Sequence, residues 1–270
     1  GEWNYVKLDP LVSVAHIFEL PVAAPDVVIR TSQALDRFLP RQRWFAGKAR
    51  TIENVQILDW SPMRSLTGDL MAAIAEVEYT DGCEERYFTP FAVVPEGGAR
   101  TAQSDDSTIA RSPDSAVVDA LENDEACRAL LTTMLVGRSI RMRHGIARGT
   151  AYRHEDAAAV LSVIRSAAEQ SNTSVRFEDR YVMKLLRRVE SGPHPELEVS
   201  RFLVEHGFTE IPPLIASLEY HRPGEEPSAL VLLHGFVVNE GTAWDHSVKD
   251  VQRLLLHEAP PMPEADSGAF

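Results

Sequence analysis

Tyr181-Val182-Met183-Lys184-Leu185-Leu186 sets one lysine into an otherwise apolar run with the two-residue period of a β-strand. Alternation puts Lys184 on one face with Val182 and Leu186, so its ammonium is partly withdrawn from water. That costs on the order of several kcal/mol unless an anion stands opposite. A carboxylate is available on the next element. After the break Ser191-Gly192-Pro193-His194-Pro195, residues 196–206 read as a helix, with Pro195 suited to its first turn and Gly207 to the position past its end. Leu197, Phe202, Leu203 and Val204 give that helix a broad apolar face, and Glu198 is expected beside it, reaching the sheet to pair with Lys184. A lone strand lysine is usually an edge or snorkelling side chain, and a helix glutamate is usually solvated. The neighbouring elements therefore decide the reading.

Upstream, residues 160–165 and 175–177 read as two strands joined to the lysine strand by tight connections, with the turn Ser171-Asn172-Thr173-Ser174 between them. Such a turn is ordinarily a polar hairpin connection. Its backbone N–H groups and hydroxyls can equally hold a phosphate, although it has no Gly-rich signature. Downstream, residues 211–215 and 217–220 precede a polar loop as one further extended stretch, residues 229–233 read as a fully apolar strand, and His234-Gly235-Phe236 follows as a hinge whose backbone can meet an adenine. Three strands, a helix and two further strands, with the strand lysine and helix glutamate in place, is the order of a kinase N-lobe.

Residues 1–30 read as a lead segment of short extended pieces broken by Pro10, Pro21 and Pro25. A helix is expected from Thr31 or Ser32, with Ser32 as N-cap and Leu35, Phe38 and Leu39 on one face, until Pro40 stops it. Arg41-Gln42-Arg43-Trp44-Phe45-Ala46-Gly47-Lys48-Ala49-Arg50 then surrounds an aromatic pair with basic residues, most simply a corner with wet cationic heads. A phosphate or RNA site is the sharper alternative. Residues 55–60, 70–79 and 84–88 read as strands, and Asp81-Gly82 signals a hairpin between the last two. Residues 31–95 thus form a small antiparallel sheet with one helix. Residues 96–99 and 103–107 are a linker or exposed loop, and a helix is expected from Ser112-Pro113 through Met134, ended by Gly137. Residues 138–148, with four arginines, read as a solvated strand or loop.

With 270 residues, 44% of them hydrophobic and 25% charged, the chain can bury a sizeable core as one large or two smaller domains. A net charge of −13 without a Lys/Arg-rich run argues against nucleic acid or an anionic membrane as a partner, while leaving room for a local phosphate pocket. Two cysteines, Cys83 and Cys127, fit neither a disulfide framework nor a metal site, so a reducing cytoplasm is expected. No signal peptide or apolar run of membrane-spanning length is present. The first residue is Gly rather than Met, which reads as an expression or processing boundary.

Taken in order, these motifs resemble bacterial maltokinases, stand-alone or fused to trehalose synthase, a family of eukaryotic-protein-kinase-like enzymes related to aminoglycoside phosphotransferases. The resemblance rests on residues 41–50, Tyr79-Thr80-Asp81-Gly82, Gln170 to Ser174, Tyr181 to Arg188, Glu196-Leu197-Glu198 with Arg201-Phe202-Leu203, Gly235-Phe236-Val237, and Asn239 to Trp244. It implies an α+β chain with a cap subdomain at 31–95, an intermediate subdomain with the ATP-binding lobe at 96–236, and at 237–270 the hinge exit and the start of a helical C-lobe. It also implies ATP and Mg²⁺ as cofactors and maltose as acceptor, giving maltose 1-phosphate for glycogen and α-glucan synthesis, with trehalose synthase as a possible partner. By the same resemblance Lys184 contacts the nucleotide phosphates, Glu198 pairs with it, Ser171, Asn172, Thr173 and Ser174 form the phosphate-side turn, and His234 and Phe236 flank the adenine.

One departure matters. The family's His-Gly-Asp catalytic loop and its following acidic Mg²⁺ motif are absent, since His234-Gly235 is followed by Phe236. The catalytic Asp and the metal ligands are expected beyond Phe270, with residues 244–257 as one helix, and the chain by itself is expected to be inactive. The competing expectation is a non-catalytic, kinase-derived nucleotide-binding or protein-interaction module. A weaker one is carbohydrate binding by the cap through Trp44 and Trp60.

Overall fold

The structure is a computed structural model that describes residues 24–63, 70–95, 106–155, 161–165, 172–239, 241 and 243–256. It divides into a large unit ending at Gly235 and a second unit from Phe236 onward. Each is α+β or helical in its own right, and the large unit holds two antiparallel sheets.

Helix α1 (Ala24–Phe38) precedes β1 (Ile52–Met63), β2 (Leu70–Tyr79), β3 (Glu84–Phe88), β4 (Phe91–Pro95), β5 (Thr108–Arg111) and β6 (Ser115–Asp119). These strands make the first sheet in the order β1-β2-β4-β6-β5, with β3 also on β2. Strand β2 explains the near-continuous apolar run of its sequence. Met71, Ala73, Ala75, Val77 and Tyr79 pack under α1 with Leu35, Phe38, Trp44 and Phe45, while Leu70, Ala72 and Ile74 enter the larger core on the other face. The hairpin at Asp81-Gly82 forms as read, with Gly82 at φ 80°, a left-handed conformation that glycine adopts without cost.

Helix α2 (Asp124–Leu135) is followed by β7 (Ser139–Arg141), β8 (Ile146–Ala151), β9 (Val163–Arg165), β10 (Thr173–Phe177), β11 (Tyr181–Leu185), helix α3 (Pro195–Glu205), β12 (Leu214–His221) and β13 (Ser228–Gly235). The second sheet runs β7-β8-β12-β13-β11-β10-β9, which places the lysine strand between β13 and β10. Residues from α2 and from one face of each sheet share the largest core, including Leu130, Met134, Phe88, Val118, Met183 and Leu233. The sheets are also joined edge to edge. Tyr87 bridges Arg188, the Phe88 amide donates to the Arg187 carbonyl at 2.7 Å, and the Val189 amide donates to the Arg86 carbonyl at 2.8 Å.

Three expectations are corrected. The first helix starts at Ala24, inside the expected lead segment, because Pro25 is tolerated in a first turn, Asp26 favours a helix N-terminus, and Val27, Thr31 and Leu35 continue one buried stripe. Ser32 is therefore not a cap; its hydroxyl accepts from the Ile57 amide. The long helix expected from Ser112 is a strand up to Asp119, since Val117 and Val118 are buried on opposite faces between β4 and β5. The helical start signal is Asn123, whose side chain accepts from the Ala126 amide. The boundary drawn at 95–96 falls within the first sheet, which β5 and β6 extend to Asp119. Residues 138–148 form β7 and β8, with Arg141 and Arg148 exposed.

In the second unit, helix α4 (Ala243–Leu255) carries exposed Trp244, Val251, Leu254 and Leu255. Among the described residues no helix is long and apolar enough to cross a membrane.

Gly47 shows how tightly the first core is closed. A Cβ there would land on the Tyr79 hydroxyl, 2.7 Å from the Tyr79 Cζ and 2.8 Å from the Phe45 ring. Tyr79 is itself buried and cannot swing away. Gly47→Ala is expected to cost about 2–3 kcal/mol by overpacking, read as a lowered urea midpoint. An unchanged midpoint would mean that this corner is looser than described.

Candidate functional site around Lys184

Strand β11 places Tyr181, Met183 and Leu185 in the large core, so Val182 and Lys184 face the other way, towards α3. Leu186, just past the strand, continues that second face and packs with Leu197, Leu214 and Leu232. The pairing register sets the neighbours of Lys184: Ser174 stands opposite it on β10 and Leu232 on β13, while Arg176 and His234 flank Val182. Its ammonium is part-buried, with 28% of the side chain exposed, and it donates to a glutamate carboxylate. That glutamate is Glu196, not Glu198.

Helix geometry explains the correction. Leu197 is buried and Ser200 and Val204 are partly buried, so the inward stripe of α3 runs through these three positions. At 100° per residue Glu196 lies near the edge of that stripe, whereas Glu198 lies well past it, one turn before Phe202 on the outer face. Phe202, read from the sequence as part of the apolar face, is exposed, and so is Val199. Pro195 opens the helix, so Glu196 is also in the first turn, where the N-terminal N–H groups favour a carboxylate.

Two histidines complete the cluster. His234 is pushed below the ordinary imidazole range by burial, with the Glu196 carboxylate pulling it up and the Lys184 ammonium pushing it down. His194, at the N-cap position of α3, is lowered in the same way, and its Nδ1 is buried with no hydrogen-bond partner among the described residues. Both imidazoles are therefore held neutral near pH 7.

The expected phosphate-side turn is only partly a turn. Ser171 lies outside the described residues, and Asn172 precedes the strand. Thr173 and Ser174 are strand residues paired with Leu185 and Lys184, because the β10–β11 ladder runs that far. Ser174 shares the face of Lys184. Thr173 does not, and its hydroxyl accepts from Arg187 Nε at 2.9 Å. Phe236 opens the second unit, just past the end of β13.

Arg187 is a residue that sequence reading passed over. Its side chain is 1% exposed, its Nη2 pairs with Asp119 at 2.8 Å, and its guanidinium lies 4.4 Å from the centre of the Trp44 ring. The only signal was an arginine pair directly after an apolar strand. Asp59 was missed as well; its carboxylate is buried between the two sheets.

Chemically, the site offers a part-buried ammonium already held by one carboxylate, with a serine and a neutral imidazole on the same sheet face. That arrangement suits a phosphate-bearing ligand. Among solved structures, the chain is similar to glucosamine kinase in complex with glucosamine, ADP and inorganic phosphate, at 17% identity and a TM-score of 0.48 over 84% of this chain and 46% of that one. Crystal form B of glucosamine kinase gives 18% identity and 0.49 over 84% and 45%. The chain spans just under half the length of these kinases. The family evidence is more local. Residues 38–123, from the end of α1 through the first sheet to the N-cap of α2, match the family described as the Maltokinase N-terminal cap domain, and in that part the chain is similar to the cap of a maltokinase.

Proposed function

We propose that this chain supplies the cap and the ATP-holding lobe of a sugar kinase that transfers the γ-phosphoryl group of ATP to maltose, giving maltose 1-phosphate and ADP. The observation that carries the reading is the Lys184–Glu196 pair, a strand lysine fixed by a carboxylate from the following helix. The cap-family match at residues 38–123 supports the choice of kinase. In this reading Lys184 contacts the ATP phosphates and Glu196, in the place expected of Glu198, fixes its position. Ser174, with Asn172 before it, lines the phosphate side, while Thr173 turns its hydroxyl to Arg187 on the other face. His234 meets the adenine. Mg²⁺ would neutralise the transferred charge. Among the described residues no three His, Cys, Asp or Glu side chains gather as metal ligands, and the proposal draws those ligands and the catalytic Asp from a C-lobe following these residues. The same reading puts the protein in the cytoplasm, in α-glucan synthesis, fused to or associated with trehalose synthase.

Titration of the chain with a fluorescent ATP analogue tests the nucleotide site. Lys184→Met is expected to weaken binding about tenfold or more, since it deletes a charge-assisted contact, and Glu196→Gln by a smaller factor. Glu198→Gln should leave binding unchanged. Loss with Glu198→Gln and none with Glu196→Gln would overturn the assignment. The acceptor is tested in the parent protein, where ATP and maltose should yield maltose 1-phosphate; the chain alone should give none. A parent frame that stops at Phe270 yet binds ATP would favour a non-catalytic nucleotide-binding module.

A further inference from the structure

The β7–β8 hairpin turns a basic face outward. Ile140 and Ala147 enter the large core, so alternation sends Ser139 and Arg141 of β7, and Ile146 and Arg148 of β8, to the other side of the sheet. The register sets Arg141 across from Ile146 and Ser139 across from Arg148. All four are exposed, as is Arg138 at the entrance to β7. Elsewhere in the chain arginines stand on carboxylates: Arg86 on Glu76 and Glu225, Arg165 on Asp124, Arg222 on Glu225. The guanidinium groups of Arg138, Arg141 and Arg148 have no hydrogen bond, ion pair or ring contact among the described residues. Glu219 stands across from Arg148 on β12, yet no ion pair closes between them. Arg143, the fourth arginine of this stretch, is engaged with the Trp60 ring, 5.5 Å from its centre.

Like charges side by side on a sheet face repel one another, and in a chain of net charge −13 a gathering of free guanidiniums lacks only an outside carboxylate. Arg141 and Arg148 are diagonal neighbours across the ladder, with Cα atoms about 7–8 Å apart. Alternate residues of an extended chain point the same way and repeat at about 7 Å. The two spacings match. At physiological salt the attraction of the patch reaches about 8 Å, which is enough to hold a short acidic segment. A nucleic-acid chain or an anionic membrane would run past the patch onto a surface rich in Asp and Glu. We propose that the exposed face of β7–β8 docks an extended acidic segment of a partner protein, with carboxylates at alternate positions on Arg141 and Arg148 and with Ile146 as the apolar contact beside them. The surface lies outside residues 38–123 and is independent of Lys184 and of the kinase reading.

The test titrates the whole chain into a fluorescein-labelled peptide of alternating glutamate and threonine, with a peptide of alternating glutamine and threonine as the comparison. Anisotropy should show saturable binding of the acidic peptide, weakening as sodium chloride is raised, and none of the glutamine peptide. Arg141→Gln with Arg148→Gln, both at exposed positions, should weaken binding about tenfold or more. Arg30→Gln with Arg37→Gln removes the same charge from exposed positions of α1 and should leave binding intact. Equal losses from the two arginine pairs would reduce the effect to net charge and overturn the site. So would binding of the glutamine peptide, or displacement by inorganic phosphate beyond that by chloride at equal ionic strength. Tighter binding of a single-stranded RNA oligomer or of phosphatidylserine vesicles would also overturn it, by making the surface a nucleic-acid or membrane contact.

Discussion

Asp59→Ala is expected to lower the stability of the chain by about 3–5 kcal/mol, the range for a buried charge network that loses its central acceptor. The Asp59 Oδ1 accepts from the amides of Trp60 at 2.9 Å, Arg143 at 2.7 Å and His144 at 3.1 Å, and Oδ2 accepts from the Tyr220 hydroxyl at 2.6 Å. Alanine leaves these donors facing a dry cavity. Burial, and then the bond to Asp59, push the Tyr220 hydroxyl well above its ordinary pKa, so it remains a donor wherever the protein is folded. Tyr220→Phe should cost less, about 1–2 kcal/mol, because Oδ1 keeps its amides. Urea unfolding followed by far-UV circular dichroism gives both values. An Asp59→Ala loss below that of Tyr220→Phe would show that the amides find other acceptors.

The second large effect belongs to Arg187. Arg187→Met should cost about 3–5 kcal/mol, since it strands the Asp119 carboxylate in the interior and removes the cation from the Trp44 ring. Asp119→Asn is the matching change, because an amide oxygen can still accept from the Leu121 amide as Asp119 Oδ1 does at 2.9 Å. With the stranded charge gone, Arg187→Met combined with Asp119→Asn should be less damaging than the sum of the two, by about 1 kcal/mol or more. Additive losses in the unfolding cycle would mean that the pair contributes little beyond packing.

Much of the lobe was legible because its signals are local. Alternation in residues 181–186 gave the correct face for Lys184, Asp81-Gly82 gave the hairpin, and Pro195 and Gly207 bracketed α3. The glutamate was not legible, because choosing Glu196 over Glu198 needs the rotation of α3 about its axis. That phase is fixed by what Leu197 packs against, and exposed Phe202 pointed to the wrong side. The stretch after Ser112 failed for a related reason. A short apolar segment takes its type from its neighbours, and β4 and β5 were there to make it a strand. Asp59 gives no local signal at all, since the hydroxyl that it accepts from is 161 positions away, and Arg187 gives only that of an arginine pair after an apolar strand.

The pairing of β3 with the chain around Arg188 bears on how this protein can be divided. A family boundary records what is inherited together, and here it ends at residue 123. The ladder does not end there: the Phe88 amide and the Arg86 carbonyl find their partners at Arg187 and Val189. A piece cut at residue 123 would carry a bare β3 edge, with Phe88 stripped of much of its cover, and such an edge recruits other chains. Grafting the cap onto another protein therefore requires residues 181–189 to travel with it, or a designed strand to take their place. The unit of inheritance is shorter than the unit that can be moved.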